Sequence, residues 1–137
     1  MIEWKDSYSV NFDGIDDQHK KLISIMSEVE AAISTKDNHF SIVIDVVNKM
    51  EDYIKEHLAY EEELMAKYAY PYEESHLQQH NELRYKVLSI NYDYIQKTED
   101  FYNSTYEYLV NWLINHIMRV DKLLGEFLLT KGVSENV

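Results

Sequence analysis

Four long segments of the chain carry apolar side chains at steps of three and four residues. Such steps place side chains on one face of an α-helix, in the pattern of helices that pack as a bundle. The predicted inward stripes are Ile15, His19, Leu22, Met26, Val29 and Ile33; Val43, Val47, Met50, Ile54, His57, Glu61 and Leu64; His76, His80, Leu83, Val87, Ile90 and Tyr94; and Tyr102, Tyr106, Leu109, Leu113, His116, Val120, Leu123 and Phe127. The spacing therefore predicts four helices, each with one buried face.

The connections between these segments are short and contain few turn residues. The sequence has only three glycines and one proline, whereas an all-β domain with many turns would normally use more of both. Asp37 and Asn38 suit the end of the first helix and the cap of the second, Pro71 suits the first turn of the third, and Thr98 suits the cap of the fourth. We expect an all-α fold, an antiparallel up-and-down four-helix bundle.

The segment before the first stripe has no helical period. Its larger apolar residues alternate loosely with polar ones and are Trp4, Tyr8, Val10 and Phe12. Residues 1–14 are therefore predicted to form an ordered N-terminal arm that packs on a bundle spanning about 15–130. At 137 residues, the chain has the length of a single domain, and we expect one domain over 1–137.

Charge and composition exclude several classes of protein. Lys and Arg number 13 and Asp and Glu number 25, a net charge of −12, which disfavours binding to nucleic acid or to an anionic membrane surface. No apolar run of about 18 residues predicts a transmembrane helix. The start of the sequence, MIEWKDSYSV, also lacks the basic flank and apolar stretch of a signal peptide. We expect a soluble, cytoplasmic protein.

Histidines interrupt the apolar stripes. Five of the six histidines fall on predicted inward positions: His19, His57, His76, His80 and His116. The sixth, His39, lies at the predicted start of the second helix and is interpreted as a surface residue. A single inward histidine is usually a hydrogen-bonded core residue, but five on four helices favour a metal site. The chain has no cysteine, so any transition metal must be bound by imidazoles and carboxylates.

Topology predicts that these histidines meet. His57 lies late in the second helix, whereas His76 and His80 lie early in the third, and antiparallel neighbours bring these positions to the same end of the bundle. His19 lies early in the first helix and His116 late in the fourth, so they belong to the same end. The sequence therefore predicts one cluster of five imidazoles.

Two carboxylates are candidates to complete this cluster. Glu61 lies one turn beyond His57 on the same stripe, whereas Glu62 and Glu63 are interpreted as solvated charges. Asp121 follows His116 by five residues, and a regular helix would turn it away from the stripe. Spacing alone therefore favours an exposed Asp121, and only a local π-type bulge would bring its carboxylate inward.

Several kinds of metal site fit this pattern poorly. In HLQQH at 76–80, Leu77 stands where the zinc-protease motif needs a glutamate base, and a structural zinc needs only four ligands. Glu73 and His76 give the spacing of a ferritin-like di-iron oxidase once rather than twice, and a haem would leave further histidines unexplained. Five imidazoles and two carboxylates suit a pair of iron ions. If both carboxylates and an oxide or hydroxide bridge the pair, three histidines complete one iron, and two leave the other with an open position.

Four stretches together resemble the hemerythrin family, in particular single-domain bacterial hemerythrins. They are DDQHKKL at 16–22, HLAYEEELM at 57–65, HLQQH at 76–80 and WLINHIMRVD at 112–121. The resemblance implies two non-haem irons with a bridging oxo or hydroxo group that bind dioxygen reversibly. It further implies that His76, His80 and His116 hold the saturated iron, His19 and His57 hold the open iron, and Glu61 and Asp121 bridge them.

The resemblance also implies an apolar ligand pocket beside the open iron. Its candidate residues are Leu22, Leu58 and Leu113, and Leu58 stands where the family often has an aromatic residue. We expect a protein that binds dioxygen for carriage, storage or local supply and is not an enzyme, because no acid is expected next to the ligands. The alternatives are an oxygen or redox sensor and a di-iron enzyme that handles peroxide or nitric oxide.

Overall fold

The structure, a computed structural model, describes residues 2–34, 40–92 and 99–133. A short 3-10 turn, Asp6–Tyr8, precedes the helices α1 Asp13–Ser34, α2 Phe40–Lys67, α3 Glu73–Tyr92, α4 Glu99–His116 and α5 Lys122–Thr130, and a π-helical turn, Ile117–Asp121, joins α4 to α5. Predictions for Asp37, Asn38, His39, Tyr94 and Thr98, and for the side chains of Ile33, Val43, Val47, Ile90 and Tyr102, lie outside the described residues and side chains.

The predicted antiparallel four-helix bundle is confirmed. Helix α1 packs against α2 and α4, and α2 packs against α3, while α4, the π-helical turn and α5 follow one another directly as the fourth helix. The described part of the predicted stripes forms the core, with buried side chains that include Leu22, Met26, Val29, Met50, Ile54, Leu83, Val87, Leu109 and Leu113. Each such side chain contributes about 1.5–3 kcal/mol to folding. Within the described ranges, no helix has both the length and the apolarity that crossing a membrane requires.

The predicted stripe of the fourth helix is wrong after His116. It was expected to continue through Val120, Leu123 and Phe127, but Leu123 is 50% exposed and the buried positions are Asp121, Leu124 and Leu128. Each buried position lies one residue later than predicted, because the π-helical turn adds one residue to the helix. One extra residue turns everything that follows by about 100°.

The third helix begins two residues later than Pro71 predicted. It starts at Glu73, and Tyr72 caps it, since the Tyr72 carbonyl accepts the His76 amide at 3.1 Å. The end of α2 is closed by Ala69, whose φ of 52° lies in the left-handed region, and the Tyr70 amide donates back to the Met65 carbonyl at 3.0 Å. This tight connection brings α3 back beside α2.

The ordered N-terminal arm is also confirmed. The Asp16 carboxylate accepts hydrogen bonds from the Ser9 hydroxyl at 2.5 Å and from the Val10 amide at 2.8 Å, and Val10 and Phe12 are buried. At Gly125, inside α5, a Cβ atom would lie 2.1 Å from the Val10 carbonyl oxygen. Glycine is therefore required there for the arm to approach the segment that follows Asp121.

Candidate metal centre

The bundle brings all seven predicted ligand side chains together. His19, His57, Glu61, His76, His80, His116 and Asp121 are each at most 3% exposed. They form two groups in which the possible ligand atoms all lie within 4.8 Å of one another. Both groups contain Glu61 and Asp121, and we call them the three-histidine site (His76, His80, His116) and the two-histidine site (His19, His57).

In the three-histidine site the Nε2 atoms face one another. His116 Nε2 lies 3.2 Å from Nε2 of both His76 and His80. Glu61 Oε1 lies 3.2 Å from His76 Nε2 and 3.1 Å from His80 Nε2. Asp121 Oδ1 lies 3.0 Å from His76 Nε2 and 2.8 Å from His116 Nε2. Three nitrogens and two oxygens thus surround one point.

The two-histidine site has the same design with one imidazole fewer. The Nε2 atoms of His19 and His57 lie 3.2 Å apart. Here the other oxygen of each carboxylate takes part: Asp121 Oδ2 lies 2.9 Å from His19 Nε2, and Glu61 Oε2 lies 3.7 Å from His19 Nε2 and 3.4 Å from His57 Nε2. Each carboxylate therefore points one oxygen at each site, which is the arrangement of a bridging ligand.

These side chains fit a pair of metal ions. Glu61 Oε2 and both Asp121 oxygens are buried without a hydrogen bond, and a buried carboxylate costs several kcal/mol unless a cation or a metal ion compensates its charge. Metal–ligand bonds of about 2.1 Å place neighbouring ligand atoms of one ion about 3 Å apart, as the Nε2 and oxygen atoms are here. A donor set of imidazoles and carboxylates suits iron.

Burial and mutual contact shift the pKa values within the cluster. Burial and Asp121 raise the pKa of Glu61, but the imidazoles beside it dominate and hold that pKa at about 2. Contact with His116 and the other imidazoles keeps the pKa of Asp121 well below its ordinary value despite burial. Both carboxylates are therefore ionised and available to a cation at neutral pH.

The imidazoles divide into two kinds. Burial lowers the pKa of His57 to about 4. Burial also acts to lower the pKa of His76, but Asp121 and Glu61 outweigh it and raise that pKa to about 9. The pKa of His19 is likewise raised, because Asp121 outweighs burial. A metal ion must therefore displace a proton from His76, whereas His57 is already neutral.

The π-helical turn explains the position of Asp121. The Lys122 amide donates to the Ile117 carbonyl, a bond five residues back along the helix, and this wider turn aligns Asp121 with His116 five residues earlier. Spacing alone predicted an exposed Asp121, and this prediction is wrong, since Asp121 is fully buried. The π-type bulge that was predicted to be necessary for an inward Asp121 is present.

Side chains outside the cluster orient three of its imidazoles through hydrogen bonds at Nδ1, and the sequence did not predict these contacts. His57 Nδ1 donates to Gln18 Oε1 at 2.7 Å, and His116 Nδ1 donates to Gln79 Oε1 at 2.9 Å. A proton held at Nδ1 leaves the Nε2 lone pair directed at the metal position. Gln79 was visible inside HLQQH, but spacing did not show that it faces His116.

The predictions that Glu62 is a solvated charge and that no acid lies next to the ligands are both wrong. His80 Nδ1 donates to Glu62 Oε2 at 2.8 Å, and Arg84 Nη2 donates to Glu62 Oε1 at 2.7 Å. Burial would raise the pKa of Glu62, but the bonds from Arg84 and His80 lower it. Glu63 is exposed as predicted. The i, i+4 spacing of His80 and Arg84 was the one sequence signal that could have indicated an acid between them.

An apolar pocket lies against the cluster. It is lined by all three predicted residues, and its lining is Leu22, Met26, Ile54, His57, Leu58, Leu83, Leu109, Trp112, Leu113 and His116. Trp112, which the sequence reasoning did not single out, stacks on the His116 ring at 4.5 Å between centroids and an interplanar angle of 15°. The pocket offers a small apolar space next to metal-directed imidazoles.

Comparison with known proteins places these observations in a family. The model of the hemerythrin HHE cation binding domain matches residues 10–128. A bacteriohemerythrin of Stenotrophomonas maltophilia is 29% identical over 126 residues, which cover 92% of this chain and 80% of the relative. A bacteriohemerythrin of Clostridium acetobutylicum is 26% identical over 125 residues, 89% of this chain and 97% of the relative.

Solved structures show the same fold. A hemerythrin with a single leucine-to-tyrosine substitution superimposes with a TM-score of 0.78 over 92% of this chain and 95% of its own, at 22% sequence identity. At this identity the likeness supports the bundle architecture alone. The agreement with the arrangement of α1 to α5 is therefore one of backbone topology.

Proposed function

The chain belongs to the hemerythrin family, and from that premise we propose that it binds dioxygen reversibly at two non-haem irons held by the seven buried side chains. The observation that carries this proposal is the pair of carboxylates, Glu61 and Asp121, each of which directs one oxygen to each site. A pair of ferrous ions with an oxo or hydroxo bridge supplies the two electrons that dioxygen takes up on binding and returns on release.

The ligand count would distinguish the two irons. His76, His80 and His116 with the two carboxylates would hold one iron with five protein ligands. His19 and His57 with the same carboxylates would hold the other with four. The two-histidine site would therefore be the side with room for dioxygen.

The pocket residues would keep the space beside the irons apolar. His57 and His116 line it together with the proposed ligand-pocket residues Leu22, Leu58 and Leu113, and all are at most 4% exposed. Apolar walls exclude water and disfavour the separation of charge. They would therefore favour the binding and return of neutral dioxygen.

We further propose that the chain, a single domain over 1–137, serves as a carrier, store or local supply of dioxygen in the cytoplasm and not as an enzyme. Among the described lining residues, the polar side chains are His57 and His116, and a glutamine accepts the Nδ1 proton of each. The pocket thus lacks, in the described part of the chain, a carboxylic acid or other proton donor directed at a bound substrate. Binding without turnover is what such a pocket supports.

An optical experiment tests the proposal. The chain is loaded anaerobically with ferrous iron, its metal content is measured, and spectra are taken through repeated cycles of dioxygen and argon. We expect two irons per chain and a charge-transfer band that appears with dioxygen and disappears under argon over several cycles. Rapid irreversible oxidation, or sustained turnover of peroxide or nitric oxide, would instead assign the chain to the di-iron enzymes.

A further inference from the structure

Three imidazoles of the cluster have a hydrogen-bond partner at Nδ1, and one partner differs in charge. The partners of His57 and His116 are the neutral amides of Gln18 and Gln79. The partner of His80 is the carboxylate of Glu62. Among the described residues, Nδ1 of His19 and of His76 has no hydrogen-bond partner. His80 is therefore the imidazole of the cluster whose outer nitrogen faces an anion.

The Glu62 carboxylate is itself held in place. Its Oε2 accepts from His80 Nδ1 while its Oε1 accepts from Arg84 Nη2 at 2.7 Å. The Arg84 guanidinium is fixed in turn by a 3.1 Å bond from Nη1 to Asn81 Oδ1. The Glu62 side chain is 22% exposed and that of Arg84 32%, so both are partly shielded from water. Because both oxygens are engaged, the carboxylate cannot rotate away from His80.

An anionic acceptor at Nδ1 changes what Nε2 does at a metal. It draws the Nδ1 proton toward itself and so increases electron density on the ring, which makes Nε2 a stronger donor. A stronger donor stabilises the more highly charged ion. A neutral glutamine amide fixes ring orientation in the same way but without this added negative charge.

We propose that Glu62 is a positioning residue that, through His80, makes the three-histidine site prefer ferric over ferrous iron more strongly than the ligand set alone would. This inference rests on the proposed function, since it assigns a redox bias to one half of the same iron pair. The charge of Glu62 sets the bias, and Arg84 keeps that charge in contact with His80.

The first test removes the charge and keeps the hydrogen bond. Glu62→Gln retains an acceptor for His80 Nδ1, and we expect the preference for ferric iron to fall about tenfold, which raises the reduction potential of the iron pair by about 59 mV for one electron. The matched control is Glu63→Gln, which makes the same charge change at the exposed next position of α2 and should leave the potential unchanged.

The second test reverses the sign. Gln79→Glu gives His116 the kind of partner that His80 has, and we expect it to lower the potential, whereas Glu62→Gln raises it. A merely structural role for Glu62 predicts no such opposite shift. Arg84→Gln should raise the potential by less than Glu62→Gln, because the carboxylate remains but is held by one bond fewer.

A redox-silent metal gives an independent measurement. We expect Glu62→Ala to weaken Zn²⁺ binding to the chain by about 10- to 100-fold, the usual range for loss of a partner of a ligand histidine. Glu62→Gln should weaken Zn²⁺ binding less, and Glu63→Gln should not change it. If Glu62→Ala does not fold, Glu62→Gln and Gln79→Glu still test whether the charge of the Nδ1 partner sets the reduction potential.

The outcomes separate this inference from the proposed function. Failure of the unaltered chain to hold two irons or to bind dioxygen reversibly would overturn the proposed function. An unaltered chain that does both, with Glu62→Gln indistinguishable from Glu63→Gln in potential and in Zn²⁺ affinity, would overturn the role of Glu62 alone.

Discussion

The three-histidine site and the two-histidine site share two carboxylates but differ in nearly everything else. The imidazoles of the first come from α3 and α4, and Nδ1 of two of them donates a hydrogen bond, to Glu62 or to Gln79. The second consists of His19 from α1 and His57 from α2, and among the described residues only His57 donates such a bond, to Gln18. The proposed function needs this difference, because it requires one iron with more protein ligands than the other.

The two sites also differ in their charged surroundings. The apolar pocket that contains Leu22, Leu58 and Leu113 is lined by one histidine of each site, His57 and His116. His80 of the three-histidine site also faces the charged pair of Glu62 and Arg84. Both sites therefore border the pocket, whereas this charged pair contacts the three-histidine site.

The largest expected effect comes from removing what the two sites share. Asp121→Asn removes the charge of a carboxylate that serves both sites, so we expect the purified chain to lose most of both irons. Iron per chain after gel filtration measures this loss, with Asp52→Asn at an exposed position of α2 as the control. Retention of two irons by Asp121→Asn would show that Asp121 is not a shared ligand.

The next effect separates the sites. His80→Ala should lose at least the iron of the three-histidine site, while His19→Ala should lose the iron of the two-histidine site and keep the better-ligated one. Iron per chain should be about one for His19→Ala and at most one for His80→Ala, and neither variant should show the oxygen band. An unchanged iron count in His80→Ala would contradict the assignment of His80 as an iron ligand.

The pKa values predict a third contrast, in the metal-free chain. The pKa of His76 is raised to about 9, so folding retains a proton that an unfolded histidine releases above about pH 6.5. The stability from this group is complete below pH 6.5 and is lost as the pH rises toward 9, a change on the order of 3 kcal/mol.

Chemical denaturation of the metal-free chain between pH 6 and 9.5 measures this loss. In the iron-loaded chain a metal replaces the proton, so the same pH range should show a much smaller change. His57, with a pKa lowered to about 4, acts in the opposite sense below about pH 7.5, because the unfolded histidine loses its proton near pH 6.5 while the folded one is already neutral, and it adds no pH dependence above that. A flat profile for the metal-free chain would contradict the raised pKa of His76.

The smallest expected effect concerns the pocket. Leu58→Phe places the larger side chain that the family often has directly after His57, and we expect two irons to remain while the rate of dioxygen release changes several-fold. Leu64→Phe, at a partly buried position of the same helix outside the pocket lining, is the control. Equal release rates in the two variants would remove Leu58 from the ligand pocket.

The sequence carried the architecture and the meeting of the histidines, because both depend on periodicity and on the antiparallel order of the helices. It did not show the shift after His116. Leu123 and Phe127 are no more apolar than Leu124 and Leu128 one position later, and at the first step Val120 is apolar whereas Asp121 is charged, so hydrophobic spacing favours the regular register. The backbone bond from Lys122 to Ile117 decides between them, and no side-chain pattern encodes it directly.

The contacts at Nδ1 were missed for a different reason. Glu62 lies next to Glu61 on α2, turned from it by about 100°, and that direction faces either solvent or the neighbouring helix. Which of these applies depends on how α2 is rotated against α3, and therefore on packing rather than on spacing. Only the structure shows that Glu62 lies between His80 and Arg84.

The inequivalence of the two sites is tested most directly by a crystal structure of the iron-loaded chain with a small anion such as azide, in which anomalous scattering locates the irons. We expect two irons bridged by Glu61 and Asp121, with azide on the iron held by His19 and His57 and directed toward the leucine-lined pocket. Azide on the iron held by His76, His80 and His116, or a single iron in the cluster, would contradict it.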